Sequence, residues 1–527
     1  MRRLSRLISL SPITNPHIAL RTSLSSPRTM SSSSRTYTEA ITLLNTLIPN
    51  LKVHALFNRP KDASSSSPPS NPNDLAIPEM RAWLSRAGLT PSSLSSISYI
   101  HVAGTKGKGS VTALATSALL SSSSVGKVGT YTSPHLVSPR ERIAIDGIPV
   151  SQSLFASHFF SLWDTLSACP ADDELGFEAG SKPFYFRYLT LLALRLFVAE
   201  GVRSAVIECG IGGEYDATNI LPPESLTAAV VTQLGIDHVA MLGSTAEEIA
   251  WHKAGVMKPN RPAFTRLLTD QPGVMTVLRQ RASEINAELI EISDDEVVSW
   301  QGVQDAKLPG GAFQKRNQAL AALAAQHHIR VLESNQRDSP APRSSLTSVP
   351  KSIISGLRSA TLRGRHEVLR RGSVGWHLDG AHNADSLSEV GRWIASILLQ
   401  SANARLVLVF NQQERDAADL LLGLLTEMRN AGVDVDAKLA GAVFTRNDKT
   451  KLEDADLGVQ ERCAEALRKA HPEVDTTVCA DLEEMTSAVD AITSRDGEKG
   501  IEPVVLVTGS MYLVGNVIGF LEPDSLS

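Results

Sequence analysis

The chain has 527 residues, 42% of them hydrophobic and 20% charged, with a formal net charge of −5 at pH 7. That length exceeds one ordinary core and predicts two or three globular domains. The balance excludes a nucleic-acid footprint spread over the whole surface, and no apolar run reaches the ~18–20 residues that span a bilayer.

The N-terminus stands apart. No acidic residue precedes Glu39, while Arg2, Arg3, Arg6, Arg21, Arg28 and Arg35 lie among serines and aliphatic residues. This is the composition of a mitochondrial transit peptide over residues 1–38, with Met30 available to start a shorter, cytosolic form. A second low-complexity stretch, residues 63–73 ("ASSSSPPSNPN"), reads as an insertion without buried apolar surface.

Alternation of short apolar runs with longer amphipathic ones follows. Residues 97–103 read as a strand and 110–120 as a helix, and 126–132 read as a strand. Residues 142–150 read as a hairpin, since Asp146-Gly147 suits a primed turn. Residues 184–200 have helical periodicity, and Arg195 within their most apolar stretch marks a buried helix rather than a membrane span. Strands are expected at 204–209 and 227–234. Residues 333–350, rich in Ser and Pro, read as an expanded linker. Beyond it the alternation restarts, with strands at 375–378, 405–410, 439–444 and 504–507 and helices at 384–399, 417–429 and 460–470. The pattern predicts two α/β units, residues 39–332 and 351–527, each with a mainly parallel sheet and a cleft between them. The four cysteines, Cys169, Cys209, Cys463 and Cys479, form no CxxC pair, which argues against thiolate metal sites and a disulfide framework.

Ligands of open α/β sheets collect where strands end. After the first strand comes "GTKGKGS", residues 104–110, and then a helix. It departs from the common phosphate loop, because Val102 stands where the first Gly belongs and Gly109 separates Lys108 from Ser110. Its glycines, helix N-terminus and Lys108 still suit a phosphate; a ligand-free Gly-rich turn is the alternative. Ser133, Glu208 and His238 follow the next strands on the same edge. An oxygen, a carboxylate and an imidazole there could hold Mg²⁺ against nucleotide phosphates, although a lone His at a loop start is often structural. In the second unit, "LDGAHN" carries Asp379 and His382, with Arg363 and Arg365 shortly before; a helix cap and a surface basic pair are the alternative.

Together, "HVAGTKGKGS", "YTSPHLVSPRERI", "FRYLTLLAL", "IECGIGGEYDATN", "LGIDH", "IAWHKAGVMKP", "LDGAHN" and "VTGSMYLVG" resemble folylpolyglutamate synthase, one of the Mur-ligase-like ATP-dependent amide ligases. The resemblance implies a P-loop domain followed by a smaller Rossmann-like domain, in a monomer. It implies that Gly107, Lys108, Gly109 and Ser110 wrap the ATP phosphates and that Ser133, Glu208 and His238 bind Mg²⁺. It places Lys253 with a second metal, carbamylated, and Asn317 at the adenine. Arg365 and Asp379 would contact ATP from the second domain, and His382 would face the reaction centre. A monovalent cation such as K⁺ is a further expected cofactor. The implied reaction joins L-glutamate to the γ-carboxylate of a folate through an acyl phosphate. Glutamate addition to dihydropteroate is the sister activity; Lys106, where bifunctional bacterial relatives carry Asn, favours the first. A cell-wall ligase, a GTPase and a non-catalytic nucleotide-binding scaffold are the remaining alternatives, and no Asn-Lys-x-Asp guanine signature is present. Cys209 replaces a more usual aliphatic residue, and residues 410–420 ("FNQQERDAADL") are looser than the family pattern, which leaves the glutamate-side contacts open.

Overall fold

The structure, a computed structural model, describes residues 35–48, 73, 75–172, 175–308, 311–334, 345–372, 374–412, 416–448, 450, 456–498 and 500–522. Residues 1–34 of the expected leader, all of the 63–73 insertion except Asn73, and residues 335–344 of the expected linker lie outside them.

The first sheet contains β1 (Ser98–Ala103), β2 (Val128–Tyr131), β3 (Ile143–Ile145), β4 (Ile148–Pro149), β5 (Ser204–Glu208), β6 (Leu226–Val231), β7 (Pro262–Arg266) and β8 (Glu288–Ile292). Their order is β4-β3-β2-β5-β1-β6-β7-β8. Six strands from β2 to β8 run parallel, and β3 and β4 add an antiparallel hairpin. The hairpin turns at Asp146 (φ 52°) and Gly147 (φ 78°), the paired positive angles of a primed turn. β1, β5 and β6 are buried along their whole length, as strands covered on both faces must be. Alternate β1 residues serve opposite layers. Tyr99 and Ala103 join the layer containing helix Tyr185–Ala199, while Ile100 and Val102 meet Val111 and Leu114 of helix Lys108–Leu119.

The second sheet contains β9 (Glu367–Arg371), β10 (Val374–Leu378), β11 (Ala404–Phe410), β12 (Leu439–Thr445), β13 (Asp475–Cys479) and β14 (Glu502–Thr508). Its order is β13-β12-β11-β14-β10-β9, parallel except for β9. Separate apolar layers cover its two faces. The two units are thus α/β, as the alternation predicts.

Packing keeps residues beyond 350 with the first unit. Leu346, Ile353, Leu357 and Ala360 join the same layer as Val111 and Leu114. Helix Lys351–Ser359 lies against helix Lys108–Leu119, where the Ser117 hydroxyl donates to the Gly356 carbonyl at 2.7 Å. The chain therefore passes to the second sheet after Ala360, ten residues later than linker composition suggests. A helix with an apolar face follows its partner surface, not the end of a low-complexity stretch.

Candidate active site

The phosphate-type loop leaves β1 between β5 and β6. Thr105 and Lys106 donate their amides to the Gln233 carbonyl at 2.9 and 3.1 Å, and the Thr232 hydroxyl donates to the Lys106 carbonyl at 2.7 Å. The loop is thereby sewn to the end of β6. Gly107 then turns left-handed (φ 87°) to start the helix, and a Cβ there would lie 2.6 Å from the Asn317 Oδ1. The first-turn amides, including those of Gly109 and Ser110, have no acceptor within the helix and face the loop's concavity. Lys108 and Lys253 both donate their Nζ to the Gly104 carbonyl, each at 2.9 Å. Lys253 is 1% exposed, and burial, reinforced by the Lys108 charge, lowers its pKa to about 8.

Glu208, at the end of β5, lies 3% exposed beside this loop. Burial pushes its carboxyl up to about 7 against the opposing pull of Lys108, the Ser133 amide, Arg365 and Arg142. The Ser133 amide donates to its Oε2 at 3.2 Å. A Cβ on Gly109 would sit 3.8 Å from that oxygen, so the carboxylate overlooks the helix N-terminus. His238 occupies a left-handed position (φ 49°) after β6 and is exposed, with its ring 3.5 Å from Asp237. Burial and the charges of Lys108 and Lys253 lower its pKa, while Asp237 raises it. Ser133, Glu208 and His238 thus lie around the same loop. No cluster of three His, Cys, Asp or Glu able to hold a metal by itself occurs among the described residues. The donor set matches a hard cation that completes its shell with phosphate and water.

The second unit contributes the opposite wall. Asp379, after β10, accepts the amides of His366 and Ala381, each at 2.9 Å, and its Oδ1 lies 3.8 Å from the Arg365 Nη1. Arg365 reaches toward Glu208 closely enough to favour its ionised form. Leu362, packed with the first unit's layer, approaches Gly109 at 3.7 Å from a Cβ built there, and Lys106 pairs with Asp385 of the second unit. Asn317, 2% exposed on helix Ala312–Ser334, donates to the Gln314 side chain at 2.7 Å. His382 is exposed and its Nδ1 contacts the Gly380 carbonyl at 3.0 Å; no described contact ties its ring to the first unit.

Three contributors escape the sequence reading. Thr232 and Gln233 anchor the loop, and the rule that found His238 points to them, since they directly follow β6. Asp216 has no such signal: its carboxylate organises the 208–219 loop by accepting amides from Gly210, Ile211 and Thr218 at 3.0, 3.1 and 2.9 Å. The buried Cys209 contacts the His101 Nε2 at 3.1 Å.

Two facing α/β units, with a phosphate-type loop and basic side chains at their junction, define a Mur-ligase-like ligase fold. Mycobacterium tuberculosis folylpolyglutamate synthase complexed with ADP and AMPPCP superposes with a TM-score of 0.62 at 24% identity, over 84% of this chain and 95% of that one. E. coli FolC in complex with DHPP and ADP gives 0.57 at 22%, over 92% and 98%. No family model matches the chain. The folylpolyglutamate synthase of Neurospora crassa is 35% identical over 98% of this chain and 97% of its own length, and that of Saccharomyces cerevisiae is 34% identical over 92% and 86%. The chain belongs to the folylpolyglutamate synthase family.

Proposed function

We propose that this protein adds L-glutamate to the γ-carboxylate of a folyl-glutamate, at the expense of ATP and through an acyl phosphate. One observation carries the reading: the loop around Lys108 and the buried Glu208 edge sit together, facing Arg365 and Asp379 across the interdomain cleft, in a chain of this family.

A carboxylate is a poor acyl donor. In-line attack of its oxygen on the γ-phosphorus of ATP forms the acyl phosphate and releases ADP. Lys108 and the helix amides oppose the charge that builds on the transferring phosphoryl group. Arg365 would guide the phosphates from the second unit, with Asp379 orienting its guanidinium. Asn317, beneath Gly107, would contact the adenine. The amine of glutamate then attacks the acyl carbon, the C–O bond to phosphate breaks, and an amide remains. His382 would face the reaction centre from the second unit.

The residues present fit Mg²⁺. Glu208 is a buried carboxylate whose pKa burial raises to about 7, and it accepts the Ser133 amide, while His238 lies close enough to feel the Lys108 charge. Bound there, Mg²⁺ would neutralise phosphate charge. Lys253, with a lowered pKa, suits carbamylation and a second cation. A monovalent cation and a monomeric state belong to the same reading; light scattering in solution checks the latter. Residues 1–38 would direct a mitochondrial form, and cleavage has to precede Thr36, which caps helix Tyr37–Thr46. A reporter fused to residues 1–38 that stays cytosolic overturns the targeting.

The decisive assay offers tetrahydrofolate and dihydropteroate in parallel with labelled glutamate. Incorporation into tetrahydrofolate that depends on ATP supports the proposal. Incorporation confined to dihydropteroate assigns the sister activity, and none with either leaves a scaffold.

A further inference from the structure

The two units meet backbone to backbone at Gly515. Gly515 is buried on helix Met511–Leu521 of the second unit. A Cβ on it would lie 2.1 Å from the Leu136 carbonyl oxygen and 2.7 Å from its carbonyl carbon, so nothing larger than hydrogen fits without moving one backbone off the other. The Leu136 side chain continues the contact at Gly364, 2.9 Å from a Cβ built there, and Leu136 and Val137 pack against the core of the second sheet.

The loop that is gripped also forms the metal-side edge. Three residues before Leu136, the Ser133 amide holds Glu208. Between these points the loop has little freedom. The Glu141 carboxylate accepts the amides of Leu136, Val137 and Ser138 at 2.9, 3.0 and 2.7 Å, and the Arg142 Nε contacts the His135 Nδ1 at 2.8 Å. A displacement at Leu136 is therefore passed to Ser133, because packed, hydrogen-bonded segments move as units.

We propose that Gly515 is a positioning residue for the ligase reaction: seating its helix directly on the Leu136 backbone sets the closed spacing of the cleft and keeps water from the activated carboxylate until the amine arrives. The proposal rests on the acyl-phosphate reading above. A wider cleft admits water, which attacks the acyl carbon; the C–O bond to phosphate breaks, the original carboxylate returns, and ATP is consumed with no amide formed.

The test measures phosphate released and amide formed by the full-length protein, wild type and Gly515→Ala, with ATP, tetrahydrofolate and glutamate, alongside ADP affinity. Wild type should release about one phosphate per amide, whereas Gly515→Ala should release about threefold more or higher, with ADP affinity kept within about twofold. If Gly515→Ala does not fold, Leu136→Phe, whose larger side chain overfills the contact with Gly364 and wedges the same seam, must show the same rise. An unchanged ratio in the folded variants overturns the proposal, since a purely structural defect lowers both products in parallel. Failure of wild type to form amide overturns the underlying reading instead.

Discussion

Glu208 illustrates how a functional residue works against stability. Its folded pKa, about 7, is raised above the ordinary carboxylate value by burial. The folded state therefore holds a proton that the unfolded chain has lost above about pH 4.5. Its stabilising share is complete below that pH and disappears as pH rises through about 7. Glu208→Gln is expected to match wild type in melting temperature at pH 4.5 and to exceed it at pH 8, by the equivalent of ~1–3 kcal/mol in the absence of nucleotide and metal. Thermal melts at the two pH values check this, and a gap that is constant with pH refutes it. Lys253 titrates in the other sense. Its neutral amine, the form that captures carbon dioxide, grows as pH passes about 8. A carbamate resonance from ¹³C-bicarbonate should rise between pH 7 and 9 and be absent from Lys253→Arg. For Lys108→Ala, glutamate addition should fall ~100-fold or more with the melting temperature nearly unchanged, the loss associated with one preorganised charge stabiliser.

Helix Lys108–Leu119 carries the loop and is gripped on three sides, by the sheet and by helices Ala312–Ser334 and Lys351–Ser359. Leu114 at its centre is fully buried. Leu114→Ala should cost ~2–5 kcal/mol in urea unfolding while activity per folded molecule at low temperature stays near wild type. Larger kinetic damage would mean the loop depends on the helix's inner packing. This element was legible in the sequence because strand, glycines and apolar helix succeed one another without interruption. So were β1, β5 and β6, whose two buried faces leave unbroken apolar runs. β8 ("ELIEI") and β13 ("DTTVC") were not, since edge strands carry polar residues. Helix Ala312–Ser334 was hidden by alanines, which weaken the contrast between its faces. In the site, residues at strand ends were readable by position. Asp385 and the Leu136–Gly515 contact were not, because long-range approach leaves no local pattern; nor was Asp216, because a carboxylate that binds amides of its own loop looks like any turn residue.

At the scale of the molecule, the ion pair between Lys106 and Asp385 spans the cleft, yet Asp385 is largely exposed. Such pairs contribute ~0–1 kcal/mol. Asp385→Asn should therefore alter the KM for ATP by no more than about fivefold, with the effect fading as salt rises. The path of the polypeptide has a larger consequence. All strands of the first sheet precede residue 293, all strands of the second follow residue 366, and the chain passes from one to the other once. Helix Lys351–Ser359, although later than the low-complexity stretch, docks on the first unit. A polypeptide divided between Ser334 and Ser345 would lose no described strand, and its C-terminal piece would bring its own docking helix. The two pieces, expressed as separate genes, should reassemble into a ligase whose activity depends on their concentrations, making a two-component reporter out of a single-chain enzyme.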